Sequence, residues 1–200
     1  MKLFIHGFGS CGWGGKSLAL RRHYGVDQLL APDLPLAPDA AMAHLESLIE
    51  RYPVDTLFGS SLGGFYATAL NRRNRIPSIL INPVVFPHRL LGAYRGRQTR
   101  WCDQLPFMVD DAYVTALQQL QRTELADDER YLVLLQRGDE VLDYRQAAAF
   151  YAGKQIIEAA GGSHRFEAIE TLLPTIDDWL DQAALTPSPA TAGGGRDSTG

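Results

Sequence analysis

The strongest indication of the fold lies in the stretch Leu57-Phe58-Gly59-Ser60-Ser61-Leu62-Gly63-Gly64. Residues 54–58 have the β-branched and apolar character of a short strand, and residues 62–72 have the character of a helix. Between them lies the pattern Gly-x-Ser-x-Gly, a sharp strand-to-helix turn that strains its central serine and leaves no room for side chains at the glycines. The pattern predicts that Ser61 stands at the carboxyl end of a strand with an exposed hydroxyl, as a nucleophile requires.

Strand and helix patterns alternate along the rest of the chain. Predicted strands cover residues 3–5, 26–32, 77–81, 131–136 and 154–158, and predicted helices cover residues 16–24, 39–52, 111–122, 144–151 and 166–180. Asp39 and Asp143 are expected to cap helices, and Pro174 is expected to bend the last one. Such alternation indicates an α/β fold with a mainly parallel sheet and helices on both faces.

The domain organisation follows from length and composition. With 200 residues, of which 46% are hydrophobic and 21% charged, the chain suits one compact domain, expected over residues 1–182. The alternating pattern breaks down near residues 86–122, which are rich in arginine and aromatic residues and are expected to form an inserted cap, with Trp101 shaping a substrate pocket. Residues 183–200 are expected to be a disordered tail because they consist largely of Pro, Ser, Thr, Ala and Gly.

Charge and hydropathy exclude several classes of protein. The formal net charge of −4 argues against a nucleic-acid partner, and no apolar run is long enough for a membrane span or a signal peptide. Cys11 and Cys102 lie far apart without a metal-ligand spacing, so neither a disulfide scaffold nor a zinc site is predicted. A soluble protein of the reducing cytoplasm is the expectation, with no metal.

The glycine-rich loop after the first strand admits two functional interpretations. Gly7, Gly9 and Gly12 match the Gly-x-Gly-x-x-Gly pattern of dinucleotide-binding proteins, and Asp33 falls near the spacing of a ribose-binding carboxylate. Alternatively, the loop supplies the backbone N–H of Phe8 as one oxyanion donor, with the N–H of Leu62 as the other. The second interpretation is preferred, because His-Gly motifs after an early strand have this role in α/β-hydrolases.

Three residues in separate parts of the chain complete a possible site. Ser61, Asp139 and His164 each follow a different predicted strand, and the carboxyl ends of parallel strands meet at one edge of a sheet. Their chain order is the one that α/β-hydrolases use. A serine hydroxyl needs an imidazole to take its proton, and the imidazole needs a carboxylate to hold its tautomer. The sequence therefore predicts Ser61, Asp139 and His164 as a catalytic triad.

Several of these motifs together resemble one known family. They are residues 3–8, the Gly59–Gly64 turn with residues 66–68, Asn82-Pro83, residues 138–147 from Gly-Asp-Glu to Gln-Ala, and Gly161-Gly162-Ser163-His164. Over residues 1–182 the chain resembles the YqiA-like esterases of the α/β-hydrolase superfamily, with Ser163 where Asn or Asp is expected. The resemblance implies a small serine esterase that acts on short acyl esters and lacks the first strands of larger relatives.

The expected activity is hydrolysis of a small carboxylic ester through an acyl-enzyme on Ser61, without a cofactor. A thioesterase of the same mechanism is the alternative within this class. From other classes, a dinucleotide-binding module using Gly7, Gly9, Gly12 and Asp33, and a catalytically silent binding protein, stay open. The physiological substrate and the oligomeric state are left undetermined at this point.

Overall fold

Eight strands occur in residues 1–185, the part of the chain that the computed structural model describes. They are β1 (Lys2–Ile5), β2 (Leu29–Leu30), β3 (Thr56–Ser60), β4 (Ser78–Ile81), β5 (Gly96–Thr99), β6 (Pro106–Val109), β7 (Tyr131–Gln136) and β8 (Gln155–Ala159). Six of them form one sheet in the order β2-β1-β3-β4-β7-β8, in which every neighbouring pair is parallel. The predicted parallel α/β architecture is confirmed.

Seven α-helices connect the strands and cover the sheet within these residues. They are α1 (Gly15–Tyr24), α2 (Pro38–Arg51), α3 (Leu62–Asn74), α4 (Pro87–Leu91), α5 (Asp111–Leu120), α6 (Tyr144–Phe150) and α7 (Leu173–Leu185). Side chains of α1 and α7 pack on one face of the sheet, and those of α2, α3, α5 and α6 belong to the core on the other face. Helices on both faces are what the sequence predicted.

Each central strand contributes to both cores because successive side chains point to opposite faces. In β3, Leu57 joins the core under α2 and α3, whereas Phe58 joins the core under α1 and α7. Both side chains are fully buried. Burial of each such side chain contributes about 1.5–3 kcal/mol, which accounts for the continuous apolar runs of the central strands.

Three predicted details of the elements are wrong. Only Leu29 and Leu30 of predicted strand 26–32 pair with β1, because Val26–Gln28 form a 3₁₀ turn. Helix α2 begins at Pro38, with Ala37 as its N-cap, so Asp39 lies in the first turn; proline suits that position because it needs no N–H there. The predicted helix over 166–180 begins only at Leu173, so Pro174 lies in the first turn of α7 and not inside a longer helix that it could bend.

The last described helix extends into the segment that was expected to be a disordered tail. Helix α7 continues to Leu185, three residues beyond the expected boundary at 182. The remainder of the predicted disordered tail, residues 186–200, lies outside the described residues. Within 1–185, no helix is both long and apolar enough to cross a membrane.

The segment between β4 and β7 contains the predicted helix, α5, together with α4 and an antiparallel hairpin of β5 and β6. The sequence patterns did not reveal α4 or the hairpin. The hairpin packs on the glycine-rich loop after β1: the N–H of Trp101 donates to the carbonyl of Gly9 at 3.0 Å, and the rings of Phe107 and Phe8 lie 5.4 Å apart. We call this segment, residues 86–122, the cap segment.

The cysteine prediction is wrong. Cys11 of the glycine-rich loop and Cys102 of the hairpin form a disulfide, with their Cα atoms 6.4 Å apart. Sequence separation concealed the pair, because the two residues become neighbours only when the cap segment folds back over the loop. The expectation of a reducing cytoplasm, which was based on unpaired cysteines, loses that support.

Reduction of this disulfide should destabilise the protein. Because the bond closes a loop across 91 positions, its loss should lower the free energy of unfolding by about 2–4 kcal/mol. Denaturant unfolding of the wild type with and without reductant measures the effect. Cys102→Ser, at the exposed end of the pair, should match the reduced protein and gain nothing from oxidant. Two free thiols in the air-oxidised wild type would contradict the pairing.

Candidate active site

The turn after β3 has the geometry that the Gly-x-Ser-x-Gly pattern predicts. Ser61 adopts φ 54° and ψ −118° at the junction of β3 and α3. A β-carbon added to Gly59 would lie 2.5 Å from the carbonyl oxygen of Gly63, and one added to Gly63 would lie 2.6 Å from the carbonyl carbon of Ile5. A side chain at either position would collide with backbone atoms, so both positions require glycine. The two glycines allow α3 to begin directly against the sheet.

The turn also occupies the topological switch point of the sheet. The chain runs from β1 outward to β2 and then returns to β3 on the other side of β1, so the loops after β1 and β3 diverge there. In open parallel sheets, ligands bind outside the strand carboxyl ends at such a point. Gly7, after β1, lies beside the serine: a β-carbon added to it would be 3.6 Å from Ser61 Oγ.

The three predicted residues form a single row of hydrogen-bonding groups. His164 Nε2 lies 3.1 Å from Ser61 Oγ, and His164 Nδ1 lies 2.8 Å from Asp139 Oδ2. An ionised carboxylate can only accept, so Nδ1 carries the ring proton and Nε2 is left to accept the serine O–H. The structure thus brings together side chains from the carboxyl ends of β3, β7 and β8.

Asp139 is held as a buried, ionised carboxylate. Its side chain is only 2% exposed. Burial by itself would raise the pKa of Asp139, but hydrogen bonds from His164 and from the N–H groups of Leu142 and Val141 outweigh it and hold the pKa below its usual range. These N–H groups donate to Oδ1 at 2.8 and 2.9 Å, which leaves Oδ2 for the imidazole. A negative charge is therefore maintained beside Nδ1 of His164.

The neighbouring acids have other contacts. Asp143 caps α6, as predicted, by accepting the N–H of Arg145 at 3.1 Å. Glu140 binds the histidine loop through its Oε2, which accepts the backbone N–H of His164 at 3.0 Å. That contact fixes the loop, whereas the imidazole itself contacts Asp139.

A small cleft opens beside the serine. It has a volume of about 310 Å³ including its open mouth. Phe8 and Leu62, the two predicted oxyanion donors, both line it. The N–H of Leu62 belongs to the first turn of α3, where backbone N–H groups have no partner within the helix.

The walls of the cleft combine aliphatic and aromatic side chains with polar ones such as His6 and Ser10. Phe107 and Tyr113 of the cap segment face Leu34 and Tyr66 of the main domain across it. Trp101, expected to shape the pocket, does not contribute to this lining, and 60% of its surface is exposed. The cap segment therefore contributes to the cleft through β6 and α5 instead of through Trp101.

His6 organises the loop that carries Phe8. Its Nε2 accepts the N–H of Leu34 at 3.0 Å, so Nδ1 carries the proton and donates to the carbonyl of Gly7 at 2.9 Å. Burial lowers the pKa of His6, which favours this neutral form. The loop after β1 is thereby tied to the segment after β2.

The residues of the dinucleotide alternative serve the same loop. Asp33 accepts the N–H of Gly12 at 2.7 Å, so the carboxylate proposed for a ribose is engaged inside the protein. A β-carbon at Gly12 would lie 2.8 Å from the carbonyl oxygen of Pro32. Close packing against the segment after β2 thus explains the glycine at position 12, whereas Gly7 approaches the serine turn.

Two buried amides near His164 were missed as site residues by the sequence reasoning. Asn82 follows β4, and Gln136 ends β7; both contact the loop that bears His164. The only available signal was their position at strand ends, next to Pro83 in one case. Among residues 1–185, no three His, Cys, Asp or Glu side chains cluster in a way that could hold a metal ion.

The chain has the α/β-hydrolase fold. It superposes on Est1E from Butyrivibrio proteoclasticus with a TM-score of 0.69, covering 92% of this chain and 88% of that one at 17% identity. It superposes on a monoacylglycerol lipase from Paleococcus ferrophilus with a TM-score of 0.66, covering 90% and 93% at 16% identity. The predicted fold class is thereby confirmed.

The chain belongs to the family described as Uncharacterised protein family (UPF0227), whose model matches residues 1–181. The protein YcfP of Salmonella gallinarum, also of this family, is 27% identical over 189 residues, which cover 88% of this chain and 96% of YcfP. This membership confirms the resemblance to YqiA-like proteins inferred from the sequence motifs.

Proposed function

We propose that this protein is a serine hydrolase that cleaves small carboxylic esters through an acyl-enzyme on Ser61. The observation that carries the proposal is the row of hydrogen-bonding groups from Ser61 through His164 to Asp139 at the switch point of the sheet. Structural neighbours described as an esterase domain from Rhodothermus marinus and as a monoacylglycerol lipase support the same reaction class.

Acylation begins with proton transfer from Ser61 to His164. Ser61 Oγ attacks the ester carbonyl carbon while its proton passes to Nε2. The imidazolium that forms is stabilised by Asp139, whose buried carboxylate accepts a hydrogen bond from Nδ1–H. When the tetrahedral intermediate collapses, the ester C–O bond breaks, and the leaving alkoxide takes the proton from Nε2. The acyl group then remains on Ser61.

The oxyanion of the intermediate is assigned to the backbone N–H groups of Phe8 and Leu62. The Leu62 N–H lies at the N-terminus of α3, whose dipole favours negative charge. The Phe8 N–H comes from the loop that His6 fixes. Preorganised donors of this kind stabilise charge where it develops, and each contributes about 10²–10³ in rate.

Deacylation repeats the same steps with water. Nε2 takes a proton from water as its oxygen attacks the acyl carbon, and the bond to Ser61 Oγ then breaks with return of that proton to the serine. The products are the carboxylic acid and the regenerated enzyme. A thioester would follow the same steps with a thiolate as the leaving group.

The nucleophile is tested by paired serine variants. Ser61→Ala should lower ester hydrolysis by about 10⁶ and abolish labelling by a fluorophosphonate probe, because only an activated serine reacts with it. Ser60→Ala, one residue earlier in β3, should keep both. Turnover of short p-nitrophenyl esters and mass spectrometry of the labelled protein give the measurements. Labelling of a different residue, or undiminished turnover in Ser61→Ala, would refute the assignment.

The acid is tested by a matched pair of aspartates. Asp139→Asn preserves shape but favours the wrong histidine tautomer, so turnover should fall by about 10⁴. Asp143→Asn should leave turnover almost unchanged, because asparagine caps a helix as well as aspartate. Both rates are compared on one ester at neutral pH, with circular dichroism to verify folding. A larger loss in Asp143→Asn would reassign the acid.

The cleft predicts a size limit on the acyl group. Phe107→Ala should enlarge it and raise the ratio of kcat/KM for octanoyl over acetyl esters by about tenfold or more, the scale of pocket discrimination per methylene group. Trp101→Ala, outside the cleft on the same hairpin, is the control and should leave the ratio unchanged. The comparison uses a series of p-nitrophenyl esters. The opposite pattern would place the acyl group against Trp101.

A further inference from the structure

Two buried amide side chains from different strands hold the loop that carries His164. Asn82 is 3% exposed and Gln136 is 7% exposed. They bind the backbone of Ser163 and Glu167, on either side of the histidine. The ring nitrogens of His164 bind Ser61 and Asp139 and neither amide, so an influence of the amides on the reaction acts through the placement of this loop.

Gln136 holds the loop at two points. Its Oε1 accepts the N–H groups of Ser163 and Glu167 at 3.1 and 2.9 Å, and its Nε2 donates to the carbonyl of Glu167 at 2.8 Å. All three contacts are to backbone atoms. The presence of serine at 163, where Asn or Asp was expected, therefore leaves them unaffected.

Asn82 connects the loop to the sheet. Its Nδ2 donates to the carbonyl of Ser163 at 3.0 Å, and its Oδ1 accepts the backbone N–H of Gln136 at 2.9 Å. Ser163 is thus held at both its carbonyl and its N–H. Asn82 itself adopts φ 41°, a left-handed conformation that asparagine tolerates better than most residues.

The residues on both sides of Asn82 hold the backbone of the serine turn. The N–H of Ser61 donates to the carbonyl of Ile81 at 3.0 Å, and the carbonyl of Ser61 accepts the N–H of Val84 at 3.2 Å. The end of β4 therefore binds the Ser61 backbone through its main chain and the His164 loop through the Asn82 side chain.

We propose that Asn82 is a positioning residue that sets the separation of Ser61 Oγ and His164 Nε2. The inference rests on the proposed hydrolase function. Because β4 is anchored between β3 and β7, its end acts as a spacer of fixed length between the two reacting groups. Misplacement of a catalytic group by about 1 Å can cost 10²-fold in rate, so loss of the Asn82 contacts should be detected in turnover.

The test compares Asn82→Gly with Asn71→Ala. Glycine tolerates the left-handed backbone at position 82 but removes both side-chain hydrogen bonds. Asn71, on α3, is also fully buried and donates to Ser78 Oγ at 3.2 Å, but it lies outside the site. Kinetics on a short p-nitrophenyl ester, fluorophosphonate labelling rates and denaturant unfolding are measured for both variants. Gln136→Met, which removes the second amide, is included as an independent variant.

For Asn82→Gly we expect kcat and the labelling rate to fall by about 100-fold with KM within twofold. Gln136→Met should likewise lower kcat and leave KM within twofold. Asn71→Ala should lose stability without losing kcat. If Asn82→Gly fails to fold, Asn82→Asp takes its place, because aspartate accepts from Gln136 but cannot donate to Ser163.

Two results would overturn the inference. One is wild-type kcat in the position-82 variant, whether or not Gln136→Met loses kcat. The other is an equal loss of kcat in Asn71→Ala when this variant is destabilised as much as the position-82 variant. The role of Asn82 would then be structural only. Failure of the proposed function is distinguishable, because the wild type itself would then neither hydrolyse the ester nor react with the probe.

Discussion

Ser61 holds a backbone conformation, φ 54° and ψ −118°, of a kind that costs on the order of 1–3 kcal/mol for a residue with a side chain. The surrounding structure offsets this cost. The N–H of Ser61 is bound by Ile81 and its carbonyl by Val84, both at the end of β4. Gly63 lies against the backbone of Ile5 in β1. A strained residue that is held so tightly presents its hydroxyl in one direction. The cleft and His164 can therefore contribute to a reaction only through their positions relative to this hydroxyl.

Burial of the polar groups around the serine has electrostatic consequences. In a region of low dielectric, an unpaired polar group is costly and a paired one is strongly oriented. Three donors converge on Asp139 and keep it ionised. Burial lowers the pKa of His6 and favours its neutral form, and two backbone groups define its tautomer. Each of these buried groups therefore has a defined protonation state, which the proposed proton transfer between Ser61 and His164 requires.

The cap segment shows where sequence patterns lose information. In its hairpin, β5 has the sequence Gly-Arg-Gln-Thr, which carries no apolar alternation. In β6, Val109 joins the core and Met108 is exposed, but four residues are too short a pattern to indicate a strand. The pairing of Cys11 with Cys102 and the contact of Arg100 with the carbonyl of Leu34 arise only when the segment folds over the glycine-rich loop. Short-range errors at Asp39 and Pro174 have a different cause: proline favours the first turn of a helix as strongly as it disrupts later turns.

The sequence by itself determined the parallel α/β architecture, the serine turn and the location of Ser61, Asp139 and His164 at one edge of the sheet. It could do so because apolar periodicity, the spacing of glycines and strand order are local or topological properties. Only the tertiary structure decided how these residues meet. It set the distances of 3.1 and 2.8 Å along the row of hydrogen-bonding groups. It also set the contacts of Asn82 and Gln136 with the histidine loop and the disulfide to the cap segment. All of these join residues far apart in the chain, which pair only once both cores have packed.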